Sequence, residues 1–148
     1  MDDVSARKTW LSVLAQSERS DIEAALSDYP LPETEVLRPA EVGLVMVRGR
    51  AGGNGQRFNL GEMPVTRCSV RNPAGHVGHG YVQGRDKVHA ELAARLDAAL
   101  QEPGRRAALT KAVIKPLAAA LARDKETIEA KAAATKVDFF TMARGESE

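Results

Sequence analysis

The sequence predicts an α+β fold in which an antiparallel β-meander of about four strands lies between an N-terminal helix pair and C-terminal helices. Apolar residues recur at helical spacing at both ends of the chain, whereas the middle is rich in Val and Leu and is divided by Gly, Asn and Pro turns. A chain of 148 residues with 43% hydrophobic residues fits a single domain. We expect N-terminal helices over residues 1–30, the sheet over 34–85, C-terminal helices over 86–136 and a tail over 137–148.

The N-terminal region predicts two short helices. Trp10, Val13 and Leu14 recur at helical spacing and predict the first helix. Ser20, followed three residues later by Glu23, forms the capping-box pattern that starts a second helix. Pro30 then ends this helical region.

The middle region predicts short strands joined by tight turns. Asn54-Gly55 is a strong hairpin signal, so the Gly-rich loop is expected to join two strands. Strands are predicted over residues 43–50, 56–60, 65–71 and 77–83, with further turns over 61–64 and 72–75. Strands separated by such short connections pair as an antiparallel meander.

The C-terminal region returns to helical periodicity. Asp86 is a plausible N-cap of a helix, and Pro116 is expected to kink or split a later one. The predicted apolar stripe of the first of these helices consists of Val88, Leu92, Leu96, Ala99 and Leu100. The tail from residue 137 holds two of the six aromatic residues, and it either packs on its own domain or inserts into another subunit.

The charge distribution is uneven although the net charge is only +1. Residues 1–40 carry a net charge of −4, whereas residues 41–90 carry +4, and six of the seven cations in that middle block are Arg. Arg is favoured where phosphate or carboxylate is bound bidentately. The surplus is too small to indicate a nucleic-acid partner by itself.

The residues form no recognisable catalytic set. The single cysteine, Cys68, is expected to be a small, half-buried strand residue without a positioned base. His76 and His79 are three apart in a predicted strand and point to opposite faces, so no metal site is expected. The start of the chain lacks a basic, apolar leader, and no window is long and apolar enough to span a membrane, so a cytoplasmic protein is expected.

Three groups of residues are candidates for phosphate binding or for a partner interface. Gly52, Gly53 and Gly55 could present backbone N–H groups to a phosphate, although they also suit an ordinary hairpin turn. Strand alternation places Arg48 and Arg50 on one face, and Arg67 and Arg71 likewise share a face, so one side of the sheet could be basic. Such a surface either meets an anionic ligand or an acidic partner patch, or is a solvated face with surface ion pairs.

The last group lies at the predicted start of the first C-terminal helix. Arg85, Lys87 and His89 could together hold a phosphate where helix N–H groups favour anions. In the alternative interpretation Asp86 caps the helix, Arg85 and Lys87 are solvated, and His89 borders the apolar stripe.

Six stretches that span nearly the whole chain in order resemble the PhnG family. They are residues 7–15 (RKTWLSVLA), 40–45 (AEVGLV), 52–58 (GGNGQRF), 66–71 (TRCSVR), 84–91 (GRDKVHAE) and 137–145 (VDFFTMARG). The resemblance is loosest between about residues 101 and 136. Its coverage makes it more specific than any one of the motifs.

The resemblance implies a small subunit of the carbon–phosphorus lyase core complex, with PhnH, PhnI, PhnJ and PhnK as partners and a functional link to PhnL. Such a complex transfers ribose 5-triphosphate from ATP to an alkylphosphonate such as methylphosphonate and releases adenine. The resemblance places the chemistry on PhnI and implies no catalytic residue, metal or cofactor on the small subunit, with ATP as a substrate of the complex. The alternatives are an autonomous enzyme or binding protein for a phosphorylated small molecule, and a purely structural scaffold.

Overall fold

The computed structural model describes residues 2–137, and it confirms the predicted α+β class with three strands instead of four. The elements in chain order are α1 (Asp3–Gln16), α2 (Arg19–Ala25), β1 (Glu35–Arg50), β2 (Arg57–Arg71), β3 (Val77–Gln83), α3 (Lys87–Leu100), α4 (Pro103–Leu109) and α5 (Lys115–Ala134). The strands form one antiparallel sheet in the order β1-β2-β3. Helix α3, together with α1, packs against the sheet, and the other helices pack on these two or on one another.

The turn predicted over residues 61–64 is wrong, because β2 runs through it as one continuous strand. Val45 pairs with Met63 and Leu44 pairs with Pro64, so the ladder with β1 is unbroken there. The carbonyl of Pro64 accepts a hydrogen bond from the backbone N–H of Gly84, at 2.8 Å, on the side away from β1. The missing N–H of Pro64 therefore removes no bond from the β1–β2 ladder.

The loop between β1 and β2 is the predicted hairpin connection, but different residues make the turn. Gly52 and Gly53 have φ values of 60° and 80°, which glycine adopts without strain. The backbone N–H of Gly55 donates to the carbonyl of Ala51 at 2.8 Å and closes the loop. Asn54, by contrast, has φ near −121°, so Gly52 and Gly53, and not Asn54, hold the left-handed positions of the predicted loop.

Helix α3 packs on β2 and β3 at unusually close range, because small residues face each other. A Cβ atom added to Gly80 would overlap the carbonyl of Ala90, and one added to Gly78 would lie 2.6 Å from the backbone nitrogen of Ala98. Ala94 is fully buried between these contacts. The predicted stripe of α3 is wrong at Val88, which is 49% exposed, because an alanine face makes the closest contact with the sheet.

A buried carboxylate joins α1, α3 and β3. Asp97 of α3 has no exposed surface and accepts hydrogen bonds from the side chains of Arg7 and Trp10 and from the backbone of His79. Because its oxygens are saturated, this charge is tolerated inside the core. The arrangement fixes the position of α1 against the sheet layer.

The last helical region is almost continuous from Pro103 to Ala134. Its α-helical pattern is interrupted by one π-helical turn over Thr110–Ile114, immediately before Pro116. Pro116 lies in the first turn of α5, where the predicted kink or split is a change of helical type within a continuous helical region, and the wider turn accommodates the missing N–H of the proline. Residues 122–134 of α5 are exposed on all sides.

The tail predicted from residue 137 onward lies, from residue 138, outside the described residues, so both of its predicted arrangements stay predictions. Among residues 2–137, no helix combines the length and apolar character needed to cross a membrane.

Candidate functional site

Arg67 lies on the sheet face opposite the helices, where it forms an ion pair. Its Nε is 2.8 Å from the carboxylate of Glu41, which also lies 3.4 Å from Arg38. A second cross-strand pair joins Arg71 to Glu35 at 3.3 Å. Because Arg67 and Arg71 are already paired with carboxylates, this face is better described as a surface with ion pairs than as a preformed anion-binding site.

Arg85, Lys87 and His89 are not brought together. Arg85 is exposed in the loop before α3, whereas the ring of His89 is buried and its Nε2 donates to the carbonyl of Leu14 at 2.8 Å. The carboxylate of Asp86 accepts from the backbone N–H of His89 at 3.1 Å and caps the helix. A phosphate at this helix end would compete with that carboxylate, and the His89 side chain is turned away from it.

The hydrogen bond from the backbone of His89 lowers the pKa of the Asp86 carboxyl, and the positive charge of Arg19 adds to this effect. Burial, reinforced by the negative charge of Glu91, raises the pKa of the Cys68 thiol. Cys68 lies on the helix-facing side of β2 with 2% of its surface exposed, which agrees with the predicted strand position but is deeper burial than predicted. A buried thiol with a raised pKa is a poor nucleophile.

The part of the β1–β2 hairpin beyond the helical layer is the most exposed region of the sheet. We call residues 43–64 the hairpin arm: β3 pairs with β2 only from Val65 onward, so the arm is a two-stranded ribbon. Four of its apolar side chains are between 45% and 61% exposed, namely Leu44, Met46, Phe58 and Leu60. Large apolar groups on a protruding ribbon are typical of a surface that another protein covers.

The end of the hairpin arm carries three arginines around one pocket. Arg50 pairs directly with Arg57 across the two strands, and Arg48 lies two residues before Arg50 on the same face. These tip arginines and Gly49 line a pocket of about 200 Å³. Within residues 2–137, no carboxylate lies within 4.0 Å of any of them.

The sequence interpretation placed Arg48 and Arg50 on one face but missed Arg57. The available signal was the hairpin register, since a loop of about six residues places Arg57 opposite Arg50. The candidate glycines Gly52, Gly53 and Gly55 belong to the same tip, because the loop that contains them connects Arg50 to Arg57. Within residues 2–137, no group of three or more His, Cys, Asp or Glu side chains is arranged to hold a metal.

Comparisons with known proteins agree with the resemblance of the motifs. The family model described as "Phosphonate metabolism protein PhnG" matches residues 5–145. A relative from Rhizobium meliloti (strain 1021), named "Alpha-D-ribose 1-methylphosphonate 5-triphosphate synthase subunit PhnG", is 44% identical over 145 residues, which cover 97% of this chain and 92% of the relative. The predicted resemblance is thus confirmed, and the chain belongs to the family of the phosphonate metabolism protein PhnG.

Proposed function

We propose that this chain is a subunit of a complex that makes α-D-ribose 1-methylphosphonate 5-triphosphate in organic phosphonate catabolism. The complex transfers ribose 5-triphosphate from ATP to an alkylphosphonate such as methylphosphonate and releases adenine. The observation that carries the proposal is the 44% identity over 97% of the chain to a subunit of the synthase of that compound. The uncovered apolar side chains of the hairpin arm support a subunit role, because they suit burial against another chain.

The proposed partners are PhnI, PhnH, PhnJ and PhnK, with a functional link to PhnL, in the cytoplasm. In this assignment the chain holds no cofactor of its own, and ATP is a substrate of the complex. We place the bond-breaking chemistry on another subunit. The contribution of this chain is to complete the complex and to shape the site from outside the reacting atoms.

Reconstitution tests the proposal. The chain is co-expressed with the other subunits, the mass of the product is measured by light scattering, and adenine release is measured with ATP and methylphosphonate. We expect a heteromeric complex of fixed composition that releases adenine only when this chain is present. Full adenine release by a preparation that lacks the chain, or a monomer that ignores its partners, would contradict the proposal.

A further inference from the structure

We propose that the tip arginines Arg48, Arg50 and Arg57 bind the triphosphate group of a ligand that reaches its site within the complex. This inference rests on the proposed function and deepens it, because it names the part of the chain that touches the substrate or product. The predicted candidates Arg67 and Arg85 lie outside this tip, whereas the candidate glycines Gly52, Gly53 and Gly55 form the loop that connects Arg50 to Arg57.

The arrangement of the tip arginines destabilises the hairpin arm. Arg50 and Arg57 are directly opposite on neighbouring strands, and like charges at such positions destabilise a hairpin. Elsewhere in residues 2–137 seven arginines have carboxylate partners within 4.0 Å, namely Arg7, Arg19, Arg38, Arg67, Arg71, Arg105 and Arg106. The tip arginines have none in that part of the chain, so the structure leaves their repulsion uncompensated until an anion binds.

The shape of the site favours a compact anion. Arg48, Arg50 and Arg57 all line one pocket of about 200 Å³. A compact anion with several charged oxygens can contact all three guanidinium groups at once, whereas an extended acidic peptide would spread its carboxylates along the strand direction. The shared pocket therefore favours a small polyanion over a peptide.

The type of cation at the tip favours phosphate groups as the ligand. All three positions are Arg, whose planar fork of N–H donors matches phosphate oxygens bidentately, while Lys offers only a point charge. Gly49, which also lines the pocket, contributes backbone and no side chain. Among the anions that the proposed reaction involves, the triphosphate carries the most charge and the most acceptor oxygens.

The position of the arginines explains why assembly of the complex would strengthen the site. The hairpin arm protrudes from the body of the chain, and the pocket at its end is open to solvent. Its exposed apolar side chains would dock on a partner subunit and would thereby bring the tip arginines to the edge of the partner's site. Exclusion of water at that interface would strengthen each charge-assisted hydrogen bond.

The test replaces Arg48, Arg50 and Arg57 by Gln together in the assembled complex. The matched control replaces Lys8, Lys111 and Arg123 by Gln, because these exposed cations lie away from the arm and also have no carboxylate partner within residues 2–137. Both variants lose three positive charges, so a general charge effect would be the same in each. Binding of inorganic tripolyphosphate is measured by calorimetry, and the KM for ATP is measured from adenine release.

We expect the tip variant to assemble with the normal mass, to bind tripolyphosphate at least about tenfold more weakly and to show a raised KM for ATP. The control should bind like the wild type. Unchanged binding in the tip variant, or an equal loss in the control, would overturn the inference.

Loss of assembly in the tip variant would also overturn it, because the arginines would then pair with carboxylates of a partner subunit, and the proposed function would stand. If the wild-type chain joins no complex, the proposed function fails. Titration of the isolated chain and of its tip variant with tripolyphosphate then decides the binding question alone.

Discussion

Asp97 is the buried charge whose removal should be most costly. Its carboxylate is fully buried and accepts from Arg7 Nη2 at 2.7 Å and from Trp10 Nε1 at 2.8 Å. Asp97→Ala leaves these donors without a partner, so we expect a loss of about 3 kcal/mol in the free energy of unfolding, measured in urea. The control is Asp3→Ala, whose side chain is 85% exposed beside Arg106. A loss for Asp97→Ala no larger than for Asp3→Ala would contradict the prediction.

Asp86 should make the stability of the fold depend on pH. Its folded-state pKa is lowered by the backbone of His89, so its contribution is present above the unfolded pKa and is lost as pH falls through the folded pKa. At neutral pH Asp86→Ala should lose about 1 kcal/mol of stability through the missing cap. That difference should shrink in acid, measured by thermal unfolding across acidic pH.

Asp86→Asn serves as the control for this effect, because asparagine caps helices about as well without a titrating charge. Its advantage over Asp86→Ala should not vary with pH. A wild-type advantage over Asp86→Ala that stays constant from neutral to acidic pH would argue against the carboxylate as the cause.

The roles of single residues were predicted well where they depend on neighbours in sequence. They were predicted poorly where a contact with a residue far away in sequence determines burial or pairing. The N-cap role of Asp86 depends on the next three residues. It was one of the two predicted alternatives for this helix start, and it is the one that the structure shows. The burial of His89 depends on the carbonyl of Leu14, which is 75 residues away in sequence. Asp97 was missed for the same reason, since its partners Arg7 and Trp10 lie in another helix.

At the scale of elements, the close packing of α3 on β3 should not tolerate a side chain at Gly80. The added methyl group of Gly80→Ala would meet the backbone carbonyl of Ala90, which cannot move unless the whole helix shifts. We expect a loss of about 3 kcal/mol in the free energy of unfolding. The control is Gly43→Ala in β1, where a Cβ would meet nothing within 4 Å, and its stability should change by less than about 0.5 kcal/mol. Equal stability of the two variants would rule out the proposed overlap.

The periodicity of apolar residues predicted which segments are helices and which are strands. It did not predict the length of β2 or the buried face of α3. The sequence predicted β1 and β3 and the helices, but Gly61 and Pro64 suggested a turn where β2 continues. The strand continues here because β2 pairs with β1 and because the backbone N–H of Gly84 donates to Pro64. Both are contacts between residues far apart in sequence. The exposure of Val88 has the same origin, because glycines on β3 select an alanine face of α3.

At the scale of the whole molecule, the hairpin arm separates the requirements of folding from those of assembly. The core lies between the helices and the inner part of the sheet, and none of its fully buried large side chains belongs to residues 43–64. The sequence could predict a hairpin there, but not that it would extend past the helices, since that depends on how far α3 and β3 reach.

Leu44→Ser combined with Leu60→Ser should leave the fold intact and weaken the complex. Both side chains are about 60% exposed, so the free energy of unfolding of the isolated chain should change by less than about 1 kcal/mol. Their burial against a partner would contribute about 2 kcal/mol for each leucine, so the affinity for the co-expressed partner subunits should fall at least tenfold.

The control is Val88→Ser, a 49% exposed apolar residue on α3, which should leave the affinity unchanged. Unfolding in urea and light scattering of the purified complex measure the two quantities. An undiminished affinity in the double variant would move the interface away from the arm, most directly to the exposed residues 122–134 of α5.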